Sequence, residues 1–293
     1  MTSETIAAPP PNPDGNVRHP AVSIIIHVLL IAATILMLYP LLWMISAAVR
    51  PANEIFGSTS LWPSAISFDS FVRGWYGLSI PFGYFFGNSL VIAILSVAGN
   101  VLSCSLAAFA FARLEFRGRR IWFALMLGTL MLPYHVVLIP QYILFINLHW
   151  VNTILPLVVP KFLASDAFFI FLMVQFFRGI PRELDEAAMM DGCSPWRIYW
   201  KIMMPLSVPV LTTAAIFSFI WTWDDFFGPL IYLNDIRTYT VQLGLRSFVD
   251  ATSDSDWGGL FAMSILSLVP VFLFFLIFQR LLIEGIATTG MKR

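Results

Sequence analysis

The sequence predicts an all-α membrane protein with six transmembrane helices. Three observations predict it. Of the 293 residues, 58% are hydrophobic and only 12% are charged, against about 25% charged in a soluble domain. So few charges cannot cover a water-soluble globule of this size, and the surplus apolar surface must face lipid. The apolar residues also fall in long unbroken runs, which favours helices over a barrel, whose strands alternate over about ten residues. Finally, Lys and Arg crowd into alternate connections between those runs, the signature of a fixed orientation.

Residues 1–20 are polar and proline-rich (Pro9, Pro10, Pro11, Pro13, Pro20) and read as a disordered cytoplasmic tail. Residues 21–293 form the transmembrane domain. About 20 apolar residues span the hydrocarbon, and six stretches qualify: about 22–46, 86–111, 121–140, 156–177, 206–232 and 260–282. The first belongs to an uncharged run from Ala21 to Val49, too long for a signal-peptide core. The fourth carries Lys161 and Asp166. A central charge costs roughly 2.5–3.5 kcal/mol on insertion scales, which snorkelling or burial against neighbours would relieve.

With a cytoplasmic N-terminus, twelve Lys and Arg lie inside: Arg18, Arg113, Arg117, Arg119, Arg120, Arg178, Arg182, Arg197, Lys201, Arg280, Lys292 and Arg293. Four lie outside: Arg50, Arg73, Arg237 and Arg246. Both termini are then cytoplasmic by the positive-inside rule. The outer segment 47–85 is aromatic (Trp62, Trp75, Tyr76, Phe82), suited to interfacial anchoring or to binding. The outer segment 233–259 is acidic (Asp235, Asp250, Asp254, Asp256), either solvated or docked to an external partner.

Several function classes drop out. Net charge is zero, so no basic surplus points to nucleic acid. The histidines (His19, His27, His135, His149) and cysteines (Cys104, Cys193) form no metal-ligand spacing and no disulfide framework. A phosphate-binding loop needs Gly-Lys followed by Ser or Thr, but Pro160, Trp200 and Met291 precede the three lysines. If ATP drives anything here, another chain hydrolyses it. No nucleophile motif marks a membrane enzyme. An ion-coupled secondary transporter stays open through Asp224 and Asp225, carboxylates in the fifth run. Beside Trp221 and Trp223 they also suit a water-facing span end.

The connection 180–205 reads as two short helices. Pro181 suits a first turn, and Glu183, Asp185 and Glu186 complement the positive end of the helix dipole. Gly192 is a left-handed stop, Ser194 an N-cap, Pro195 a first-turn proline, and Pro205 marks the next span. Ala187 and Ala188 leave a thin face beside a carboxylate, the shape of a docking helix or of a plain connection.

Here the chain resembles a known family. Glu186-Ala187-Ala188, then Asp191-Gly192, Ile202 and Pro205, resemble the EAA loop of binding-protein-dependent ABC importer permeases, with Met204 where the family has Leu. Asn88-Ser89, the run Ala107–Gly118, Pro133, Pro140-Gln141-Tyr142, Gln175-Phe176-Phe177 and Trp221–Phe226 are similar to the maltose-type, carbohydrate-uptake branch, although Trp223-Asp224-Asp225 replaces its usual Trp-Asn-Glu or Trp-Asn-Asp. The resemblance covers roughly residues 84–293. It implies a type I ABC importer permease fold in a bacterial or archaeal inner membrane, with residues 180–205 as cytoplasmic coupling helices. It further implies a second homologous permease subunit, two ATPase subunits holding ATP and Mg, and an extracytoplasmic solute-binding protein, with no cofactor in this chain. Glu186 is then expected to pair with a basic group of the ATPase, and the tail Gly285–Arg293 either reaches that interface or frays. The implied solute is a sugar or sugar-like molecule. Asn88, Gln141, Asn147, Asp224 and Asp225 are the polar candidates for its pathway.

Overall fold

A computed structural model describes residues 20–57, 60–249 and 255–290, and within them the chain is helical without a strand. The helices are α1 (Pro20–Ala48), α2 (Asp69–Tyr76), α3 (Gly83–Arg113), α4 (Arg119–Thr129), α5 (Tyr134–Asn147), α6 (Leu155–Val158), α7 (Ala167–Gly179), α8 (Glu183–Met190), α9 (Pro195–Ile198), α10 (Met204–Leu206), α11 (Val208–Trp223), α12 (Phe227–Tyr232), α13 (Val241–Arg246) and α14 (Trp257–Gly290). A 3₁₀ turn (Val159–Leu163) follows α6, and a π-helical turn (Tyr199–Met203) joins α9 to α10. The expected tail lies outside the described residues except for Pro20, and so do Asp250 and Asp254 of the acidic outer segment.

The long helix α3 is the axis. It packs on α7, on α11 and on the 3₁₀ turn, while α14 packs on α1, α2 and α11. Two apolar cores form at opposite ends. One joins Phe109 and Ala112 to Phe177, Ala188, Ile198 and Tyr199, next to α8. The other joins Phe82 and Phe85 to Phe219, Trp223, Phe248 and Met263. Between them, Asn100 Nδ2 donates to Ser218 Oγ at 2.9 Å, a buried polar tie from α3 to α11. Trp223 Nε1 donates to the Ser267 carbonyl at 3.0 Å and ties α11 to α14. The apolar window of α1 buries nothing, and large hydrophobics stand exposed along it. Water does not tolerate such a surface; lipid or a companion membrane chain does.

Four helical stretches are long and apolar enough to cross a membrane: Val22–Ala48, Gly83–Arg113, Leu155–Gly179 and Trp257–Gln279. A fifth forms if Pro195–Leu206 and Val208–Trp223, bent by 77°, count as one. The expected third span, 121–140, is not one helix. It divides into α4 and α5 at Leu130–Pro133, because Pro133 lacks an N–H and pushes its predecessor out of helical geometry. The expected fifth span, 206–232, stops as a continuous helix at Trp223 and resumes only in α12. The expected fourth is borne by Leu155–Gly179 but loses helical geometry at 164–166, where the φ of 51° at Ala164 is left-handed. Pro181 precedes α8 rather than opening it.

Candidate functional site

Two regions carry polar chemistry that packing alone does not require. The first is α8. Gly192 has a φ of 77° and ends the helix, and Ser194 Oγ caps α9 by accepting from the Arg197 N–H. Asp185 and Ala188 point inward and are buried; Glu186, Ala187, Asp191 and Gly192 are exposed. The two alanines therefore divide: Ala187 faces out, whereas Ala188 packs into the core of its own chain. Ile202 is half-buried against that core, and Pro205 lies exposed in α10. One turn along α8 from Glu186 and Ala187 stands Met190, 89% exposed, and on the following α9 Trp196 is 60% exposed. An apolar patch rimmed by carboxylates marks a protein-contact face.

That face is anchored to α3 at two points. Arg113, the last residue of α3, places Nη1 3.1 Å from Asp185 Oδ2, with both side chains nearly enclosed. Its Nη2 also donates to the carbonyls of Phe177 and Ile180, each at 2.7 Å. About two turns deeper along α3, the Ser105 and Tyr199 hydroxyls meet at 2.7 Å. Neither anchor is visible as a motif in the sequence, because Arg113 and Asp185 lie 72 positions apart.

The second region is a cleft of about 650 Å³, within the range of ligand pockets, about 300–1,000 Å³. Gln141, Lys161, Ser165, Asp166, Asp225 and Tyr232 line it. Lys161 Nζ and Asp166 Oδ2 lie 3.6 Å apart, so the two charges that weaken the fourth apolar stretch face each other. Close approach to α3 sets their position. A Cβ on Gly99 would lie 2.7 Å from the Phe162 ring and 3.0 Å from the Lys161 carbonyl carbon. Ser103 Oγ donates to the Lys161 carbonyl at 2.7 Å. Asp225 Oδ1 accepts from the Gly228 N–H at 3.1 Å. Lys161 and Asp225 also border a smaller polar cavity with Asn100, Ser218 and Thr222.

Of the five polar pathway candidates, the cleft brings together Gln141 and Asp225. Asn88 serves the opposite end: its Nδ2 donates to the carbonyls of Arg237 and Tyr239 at 2.8 and 3.0 Å. Asn147, at the end of α5, and Asp224, beyond α11, are exposed and border none of the cavities described here. Sequence reasoning passed over Lys161, Asp166 and Tyr232 as site residues. The charges within an apolar stretch were the available signal.

Residues 99–287 match the family described as binding-protein-dependent transport system inner membrane component. The chain is 34% identical to the probable ABC transporter permease protein YurM of Bacillus subtilis, over 87% of this chain and 83% of that one. It is 34% identical to the arabinooligosaccharides transport system permease protein AraQ of Halalkalibacterium halodurans, over 87% and 91%. It is 32% identical to the trehalose/maltose transport system permease protein MalG of Thermococcus litoralis, over 91% and 97%. Among solved structures, a chain of a bacterial ABC transporter that imports the acidic polysaccharide alginate superimposes with a TM-score of 0.80, covering 89% of this chain and 96% of that one, at 22% identity.

Proposed function

The chain belongs to the binding-protein-dependent transport system inner membrane component family, and from that premise we propose that it is one of two membrane-spanning chains of an ATP-driven importer of sugars. The role of permease subunit in a binding-protein-dependent importer is the family's own. The sugar solute, the pairing with a second permease chain and the docking of α8 in an ATPase are this proposal. Relatives named for arabino-oligosaccharides and for trehalose and maltose support the sugar.

The observation that carries the coupling role is the outward face of α8: Glu186 and Ala187 beside Met190, with Trp196 exposed on the following α9, at the end of a bundle whose opposite side of α8 is locked to α3. An ATPase seated there, with a basic group opposite Glu186, covers the apolar patch. The twelve-to-four Lys and Arg asymmetry supports a cytoplasmic position for this end and for both termini. ATP and Mg then act on the companion subunits. Closure of two ATPase subunits drives both α8 faces together, the bundle opens outward to receive solute from the binding protein, and hydrolysis restores the inward state. This is a population shift with ATP as the ligand that prefers one state.

Glu186→Lys reverses the charge on the face, and Gly192→Asp adds one where a Cβ meets no neighbour within 4 Å, at the added cost of a side chain in the left-handed region, which Asp tolerates better than most residues. Both variants are expected to insert normally and to abolish uptake. In the purified assembly they are expected to lose ATPase stimulation by solute-loaded binding protein. Full stimulated ATPase in either variant refutes the docking role.

A further inference from the structure

Three breaks in apolar helices converge on one place. The α4–α5 break contributes Leu130 and Leu132, the interruption at Ala164 is flanked by Lys161, Ser165 and Asp166, and the α11–α12 break contributes Asp225. Lys161 packs beside Gly99 and Ser103, near the middle of the 31-residue helix α3, so the cleft lies near the middle of the bilayer. Broken helices at that depth persist only where they line a cavity or are covered by protein. Ionisable side chains there mark solute or ion paths, and helix interruptions are where transporters of other folds hold their solutes. An independent observation points the same way. Tyr232 is 3% exposed and lines the cleft, and its buried hydroxyl has no hydrogen-bond partner among the described residues. A buried hydroxyl without a partner costs free energy, and a solute hydroxyl relieves it.

The donor set limits what fits. Among the described residues lining the cleft, Lys161 is the one base, and Asp166 already pairs with it. Asp225 adds a further carboxylate. Gln141 and the Tyr232 hydroxyl both donate and accept. Such a lining matches hydroxyl groups, which also do both, and holds no spare cation for a carboxylate.

We propose that this cleft is a solute site on the translocation path, in which Gln141, Asp225 and Tyr232 bond sugar hydroxyls and the Lys161–Asp166 pair leaves a surplus negative charge. It admits neutral or amino sugars and turns uronates away. In this it departs from the structurally similar chain, whose transporter carries an acidic polysaccharide. The proposal rests on the reading of the chain as a sugar permease.

The test reads charge directly. Ser165, on the cleft wall, is replaced by Cys in an assembled importer whose Cys104 and Cys193 are Ala. Membrane vesicles are treated with cationic trimethylammonioethyl methanethiosulfonate or anionic sulfonatoethyl methanethiosulfonate, with and without ATP. The cation-to-anion rate ratio, normalised to mercaptoethanol, is expected to exceed unity by on the order of tenfold, since opposite probes feel opposite energies from one net charge several Å away. Asp225→Asn is expected to bring it toward unity, and Asp166→Asn, a second carboxylate variant, to do likewise. A normalised ratio at or below unity overturns the proposal, as does absence of labelling in every nucleotide state. ATP- and binding-protein-dependent uptake by the same vesicles, measured separately with neutral sugars, tests the permease reading itself, so the two failures are distinguishable.

Discussion

Replacing Asp185 by Asn tests whether the inner side of α8 is clamped by charge. The guanidinium of Arg113 sits 3.1 Å from the carboxylate, with side-chain exposures of 4% and 12%. At that distance, an effective dielectric of about 20 gives a gross attraction of about 5 kcal/mol. Most of it offsets the cost of dehydrating both groups. What the variant loses is therefore set by what it strands: removing one member of a buried pair costs about 3–5 kcal/mol. Asp185→Asn belongs at the low end, because Arg113 keeps the Phe177 and Ile180 carbonyls. Arg113→Met belongs at the high end, because it strands the carboxylate and both carbonyls. The pair joins α8 to α3, so the loss appears first as local opening of α8. About 3 kcal/mol corresponds to roughly a hundredfold faster amide exchange. The assay is hydrogen exchange by mass spectrometry on peptides spanning 183–193 in the assembled importer. Arg113→Met with Asp185→Leu should recover the protection lost to the stranded carboxylate but not that lost with the Phe177 and Ile180 carbonyls. Exchange in Asp185→Asn within about threefold of the unmodified protein would refute the clamp.

Two further outcomes follow from the packing. Gly99→Leu should push the Lys161 segment off α3, at a cost of about 1–3 kcal/mol from overpacking, and lower uptake more than it lowers the amount of protein in the membrane; equal losses of the two would argue against a pathway role for that segment. Trp223→Phe removes the indole N–H that binds the Ser267 carbonyl while keeping an aromatic ring, and should lower the thermal unfolding midpoint of the purified assembly by an amount matching about 1–3 kcal/mol; an unchanged midpoint would show that α11 and α14 are joined by packing alone.

The helical class and the long spans were legible because they rest on run length. The apolar stretches at 22–46, 86–111 and 260–282 each lie within a single helix. The third and fifth stretches were misjudged where proline chemistry and a span end compete with hydropathy: Pro133 splits one, and the other breaks at Asp224–Phe226. Gly192 and Ser194 behave as local signals require, since a left-handed stop and an N-cap depend on neighbours in sequence. Ala188 did not follow from local pattern, because which alanine faces the core depends on where α3 and α7 lie. The Arg113–Asp185 pair and the cleft were hidden for the same reason. Their partners are separated in sequence, and only the close approach at Gly99 brings Lys161 against α3.

On the importer reading, these contacts give α8 a mechanical route to the cleft. Arg113 and Ser105 hold the α8–α9 segment to one part of α3, while Ser103 and Gly99 hold the Lys161 segment to an adjoining part. Ten residues separate Arg113 from Ser103, about 15 Å along a helix. An uninterrupted helix of that length moves as a rigid rod, so a displacement of α8 reaches the cleft without a relay of side-chain rearrangements. The three breaks, in α4–α5, α6–α7 and α11–α12, line the cleft, whereas α3 supports it from behind through the Lys161 segment. On that reading, an unbroken helix that carries the push, set against interrupted helices, lets ATP bound to a different protein reshape the cleft those helices line. An ion-coupled carrier requires no such link to a face at the membrane's edge. The carboxylates that suggested one divide instead between an exposed span end, at Asp224, and the cleft wall, at Asp225.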